Sequence, residues 1–178
     1  DAFLERSSNT GGIGAAGSGE LWNMPARLPS IGPAEYLALS VHLIQMRLIH
    51  ACFSNVQHFV DNLSAFFAAT RESASAPLMQ WLFDQMANCP AVRAVRPKLR
   101  LGQRWGAGLW LGDAASRDYR DAIAQLAERL HISFRWQSIR PEATAAVHST
   151  LAAAAEMQRL EAPPVPKRQP QPDTARRA

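Results

Sequence analysis

Gly12, Gly14 and Gly17 carry the spacing with which a dinucleotide-binding turn wraps a pyrophosphate. That chemistry needs a strand before the glycines and a helix N-terminus after them, so that N–H groups point at the phosphates. Here the polar run Ser7-Ser8-Asn9-Thr10 precedes them and Pro25 follows too soon for a full helix, so the motif is set aside. His42, His50 and His58 recur every eight residues. Eight residues carry a helix about 80° past two turns, so these imidazoles do not share one face as metal ligands at i and i+4 would. No Gly-x-Ser-x-Gly, Cys-x-x-Cys or His-Glu-x-x-His is present, and the fifteen acidic residues form no evident pair on one helix. No catalytic residue, metal ligand or cofactor is assigned, and the chain is expected not to be an enzyme.

A basic stretch offers a different chemistry. Arg93, Arg96, Lys98, Arg100 and Arg104 fall where no acid occurs between Asp84 and Asp113, and Trp105 and Trp110 accompany them. Cations interleaved with aromatics can hold single-stranded nucleic acid by neutralising phosphate and stacking on bases. The same pairing suits a lipid or polymer interface, where tryptophans bury and arginines snorkel. The plain alternative is a solvated loop whose tryptophans plug the core. Arg96, Arg100, Arg104, Trp105 and Trp110 are carried forward as candidate surface or partner-binding residues.

The element that would have to position them is a long helix. From Ala34 to Ala76 the chain runs 43 residues without glycine or proline. Leu37, Val41, Ile44, Leu48, Cys52, Val56, Phe59, Leu63 and Phe66 recur every three or four positions, the repeat of one helix face. Pro33 suits a first helical turn, where its missing N–H is not needed. The stripe is broad, because Leu39, Leu43, Ile49 and Phe53 widen it, and His42, Gln45, Arg47, Gln57 and Asp61 are expected nearer to water. Such a rod crosses a bundle, builds an oligomer or lies on a surface.

Around it the sequence predicts a mainly α fold, with three shorter helices completing a bundle. One opens at Pro77 and stops near Asn88, one follows an N-cap at Asp113, and one opens at Pro141. His131 to Gln137 alternates in period two, which predicts a short strand or hairpin pairing 131–137 with 98–111. Residues 1–32, rich in glycine and proline, read as a flexible leader, 33–160 as the helical domain and 161–178 as a disordered tail. A chain of 178 residues with 47% apolar content and net charge +4 can bury a real core. Two cysteines point to a reducing cytoplasm, and no run is apolar enough for a transmembrane segment. Asp1 to Glu20 lacks the basic and apolar regions of a secretory signal.

The series Phe53-Ser54-Asn55-Val56-Gln57-His58-Phe59-Val60-Asp61-Asn62-Leu63, running on through Ala68 to Ala74, resembles the first helix of phasins. Phasins are helical proteins that coat polyhydroxyalkanoate granules. Pro141 to Ala155 is similar to their alanine-rich last helix, and the order of elements agrees over roughly 36–160. The resemblance implies a non-enzymatic, self-associating coat in which the stripe residues Leu37, Val41, Ile44, Leu48, Val56, Phe59, Leu63 and Phe66 lie on a hydrophobic polymer or granule surface. The alternatives are a helical adaptor or chaperone subunit binding another protein, or a nucleic-acid-associated regulator using 93–104.

Overall fold

The glycine-rich stretch that composition assigns to a flexible leader is an inner strand of a sheet. The structure, a computed structural model, describes residues 2–5, 10–17, 19–49, 57–71, 73–74, 76–90, 98–102 and 107–161. In chain order its elements are β1 (Ala2–Leu4), β2 (Thr10–Gly17), β3 (Glu20–Arg27), α1 (Ile31–Ile49), β4 (Gln57–Val60), α2 (Leu63–Arg71), α3 (Pro77–Asn88), β5 (Lys98–Leu101), α4 (Ala107–Ser116), α5 (Arg120–Leu130), β6 (Arg135–Trp136) and α6 (Pro141–Glu161). One sheet has the order β1-β2-β3-β6, and β4 pairs with β5 in a second. The first three strands are antiparallel, while β6 lies parallel to β3, Glu20 opposite Arg135 and Leu21 opposite Trp136. This is a mixed α/β architecture, and it replaces the expected helical bundle.

The period of two along the strands builds three layers. Leu21 and Trp22 are adjacent and both buried, yet they enter different cores. Trp22 and Ile13 join Leu37, Val41 and Ile44 of α1, Leu82 of α3 and Val147 of α6. Leu21 instead joins Ala114 and Ala115 of α4 and Ile123 of α5. On β2 the alternation continues, with Ile13 on the first side and Gly12 and Gly14 beneath α4. A Cβ on Gly12 would collide with the Ser116 carbonyl oxygen, and one on Gly14 would stand 2.6 Å from the Ser116 nitrogen. Glycine is required here because helix backbone rests on strand backbone. The β2–β3 turn sets a different demand at Gly19, whose φ of +77° disfavours a side chain.

The long helix is two helices and a strand. α1 stops at Ile49, residues 57–60 extend as β4, and α2 begins at Leu63. Asn62 restarts helical structure, its Oδ1 accepting from the Ala65 N–H at 3.0 Å and its carbonyl from the Phe66 N–H at 2.9 Å. Polar positions on α1 expected near water are buried instead. Gln45 donates from Nε2 to the Ser138 carbonyl at 2.8 Å and accepts from the Arg140 N–H at 3.0 Å, fixing the approach to α6. His42 accepts at Nδ1 from the Trp22 indole N–H at 3.1 Å.

The expected hairpin is also corrected. Residues 98–101 do form a strand, but its partner is β4, in parallel, and residues 107–116 are helical. The period-two segment contributes β6, whose partner is β3 because the sheet's far edge is open there. Asp113 lies inside α4 rather than capping the next helix, which starts at Arg120. The helices opening at Pro77 and Pro141 form as the sequence predicts. Among the described residues no helix is long and apolar enough to cross a membrane. The tail, 162–178, lies outside the described residues.

Two outcomes are expected. Gly14→Ala drives α4 off β2 and lowers stability by about 1–3 kcal/mol, readable from denaturant midpoints. Burial also pushes the Tyr36 phenol from its ordinary 10.0 up to about 12. Between those values the unfolded chain has released a proton that the folded protein keeps. Tyr36 therefore contributes about 2–3 kcal/mol below pH 10 that is lost as pH rises through 12, and Tyr36→Phe removes this component of alkaline unfolding.

Candidate functional site

Five separate parts of the chain meet around one cleft of about 580 Å³. β1 supplies Ala2, Phe3 and Leu4, with Glu5 just beyond it, and the β3–α1 link supplies Pro29 and Ser30. Ile31 and Glu35 come from the start of α1, Asp61 and Asn62 from the β4–α2 link, and Arg117 from the end of α4. Glu5 follows the carboxyl end of β1 and Asp61 the carboxyl end of β4. The two strands belong to different sheets, and the residues that follow them converge here. No two of the carboxylates share an element.

Each polar group is held by its surroundings. Glu35 and Asp61 are half-buried, and Glu5 is exposed at the rim. Asn62 is fixed by its capping bond to α2. Arg117 donates from Nε to both Asp113 oxygens at 3.0 Å, and its guanidinium carbon lies 5.1 Å from the centre of the Phe3 ring. Asp113 thus stands one residue behind the cleft. Among the described residues no three His, Cys, Asp or Glu side chains form a ready metal cage.

The residues singled out from sequence do not gather at this cleft. Leu37, Val41 and Ile44 are buried in the main core, at 0%, 0% and 3% exposure. Leu48 belongs to α1, its side chain outside the described set, and Cys52 and Val56 also lie outside the described residues. Phe59 on β4 and Leu63 on α2 are exposed, and Phe66 is half-buried. Arg100 is exposed on β5, while Trp110 is half-buried against the smaller core, filling the plug role. Arg96, Arg104 and Trp105 lie outside the described residues. The rejection of a pyrophosphate loop at Gly12, Gly14 and Gly17 has a structural counterpart, since all three sit within β2.

Sequence reasoning missed Glu5, Glu35, Asp61, Asn62 and Arg117, because it sought paired acids within one helix. The one local signal is Asp61-Asn62-Leu63-Ser64, an acid followed by a helix-capping residue after a β-prone run. Compared with protein-family models, curated proteins and solved structures, the chain matches none.

Asn62→Ala is expected to uncap α2 at a cost of about 0.5–2 kcal/mol, measured by thermal or denaturant unfolding. Asn62→Asp, which keeps the capping oxygen, restores most of that loss.

Proposed function

We propose that this chain processes nucleic acid, its acidic cleft bringing a divalent cation against a substrate phosphate for phosphodiester cleavage or transfer. The observation that carries the reading is the convergence of Glu5, Glu35, Asp61, Asn62 and Arg117, from separate elements, on one cleft. The acids sit in a chain of net charge +4. The exposed Arg100, and the cations Lys167, Arg168, Arg176 and Arg177 in the sequence of the tail, favour a polyanionic partner through long-range attraction. A divalent cation held at Glu35 and Asp61 would bridge the cleft to a substrate phosphate.

Magnesium suits such a bridge on general grounds. It is commonly held by one or two carboxylates plus substrate phosphate, so a complete protein cage is not needed beforehand. Glu35 and Asp61 would hold it, with Glu5 at the rim. A bound divalent cation supplies charge neutralisation and a more acidic water. Asn62 keeps the β4–α2 link in place, and Arg117 offers positive charge to the substrate.

This reading develops the nucleic-acid alternative and departs from the expectation of a non-enzymatic protein. The granule coat implied by the phasin resemblance draws less support, because a coat needs Leu37, Val41 and Ile44 on the outside and they are inside. The free thiol of Cys89 suits a reducing cytoplasm.

End-labelled DNA, RNA and hybrid oligonucleotides, incubated with Mg²⁺ or Mn²⁺ and with EDTA, test the proposal. Cleavage that requires the cation is expected, and Glu35→Gln or Asp61→Asn should each lower it about 100-fold or more, unfolding midpoints being measured alongside to separate loss of chemistry from loss of fold. Intact oligonucleotides under every condition would overturn it.

A further inference from the structure

We propose that Arg117 is the phosphate-gripping fork of the cleft, oriented in advance by Asp113 and Phe3; this rests on the nucleic-acid reading above and names the residue that would recognise the substrate's anion. Three observations meet at this side chain. Its Nε donates to both oxygens of Asp113 at 3.0 Å, four residues earlier on α4. Its guanidinium carbon lies over the Phe3 ring, 5.1 Å from the ring centre. It lines the cleft, where it is the sole cation among the described lining residues.

An ordinary ion pair at i and i+4 on a helix contributes little, about 0.3–0.5 kcal/mol, and asks for no third partner. Arg117 has one. With Nε held by Asp113 and the guanidinium carbon over Phe3, the guanidinium is restricted in its rotation. Among the described residues nothing accepts from Nη1 or Nη2. These are the donors that form two parallel bonds to a phosphate. The entropy of fixing a long side chain is therefore spent on folding rather than on binding, which favours capture of the anion. Arg120 makes a useful contrast. It also pairs with an aspartate and lies over an aromatic ring, Asp118 and Trp136, but it is exposed and away from the cleft.

Arg117→Gln and Arg117→Lys test the assignment on the full chain, the second keeping the charge in case the first weakens folding. With an oligonucleotide substrate, KM is expected to rise about 10–100-fold in both, with kcat changed less than about threefold, because lysine lacks the fork. In parallel, the Arg117 Nε–Hε resonance of labelled wild-type protein is followed as inorganic phosphate is added to millimolar levels, and a saturating shift is expected. If the wild type cleaves and both variants keep its KM, the fork assignment is overturned while the cleavage reading stands. If the wild type cleaves nothing but phosphate moves the resonance, the fork stands and the cleavage reading fails. A resonance unmoved by phosphate, with no cleavage, overturns both.

Discussion

The close seating of α4 on the glycines of β2 is the contact on which the remaining architecture depends. A helix normally rides about 10 Å from a sheet on a cushion of side chains, the spacing seen between packed layers generally. Here Gly12 and Gly14 remove the cushion, and the Ser116 backbone comes down onto the strand. That approach closes the second face of the sheet, buries Leu21 with Ala114 and Ala115, and leaves the chain turning away at Arg117 beside β1. One packing requirement in β2 therefore places the arginine at the cleft, with its aspartate one turn back on α4.

The opposite face is governed by α1. Its apolar residues spread around most of its circumference because the sheet, α2, α3 and α6 surround it. Gln45 and His42 are tolerated inside because each has partners, Ser138 and Arg140 for the amide and Trp22 for the imidazole. Burying this helix anchors Glu35 near its start, so the carboxylate is carried on a rigid element rather than a loop. Asp61 lies in the link just after β4, with Asn62 capping the helix beyond it.

Much of the helical content can be read from the sequence, and the reasons for the exceptions are physical. Pro77 and Pro141 mark helix starts because a first turn has no use for the missing N–H, and both helices form there. The stripe Leu37, Val41, Ile44 correctly identifies a buried helix face, but breadth of stripe does not distinguish a helix covered by its own chain from one covered by a polymer. Composition misleads at Thr10–Gly17, since glycine signals mobility in isolation and close approach in a sheet, and only the partner decides. The break before Asn62 is masked by an unbroken three-to-four spacing that continues by coincidence through β4. As for the cleft, Glu5, Glu35, Asp61 and Arg117 are far apart along the chain, so no spacing rule reveals them. Topology assembles what the linear order conceals.

The proposed function puts a divalent cation at Glu35 and Asp61, between the cleft and a substrate phosphate. Paramagnetic broadening by substoichiometric Mn²⁺, read residue by residue in an amide spectrum, measures where such a cation resides. The earliest and strongest losses are expected at Glu35, Asp61 and Asn62, relieved by excess Mg²⁺. Broadening centred elsewhere, for example on Asp84 or Glu156, or spread evenly over surface acids, would contradict this placement.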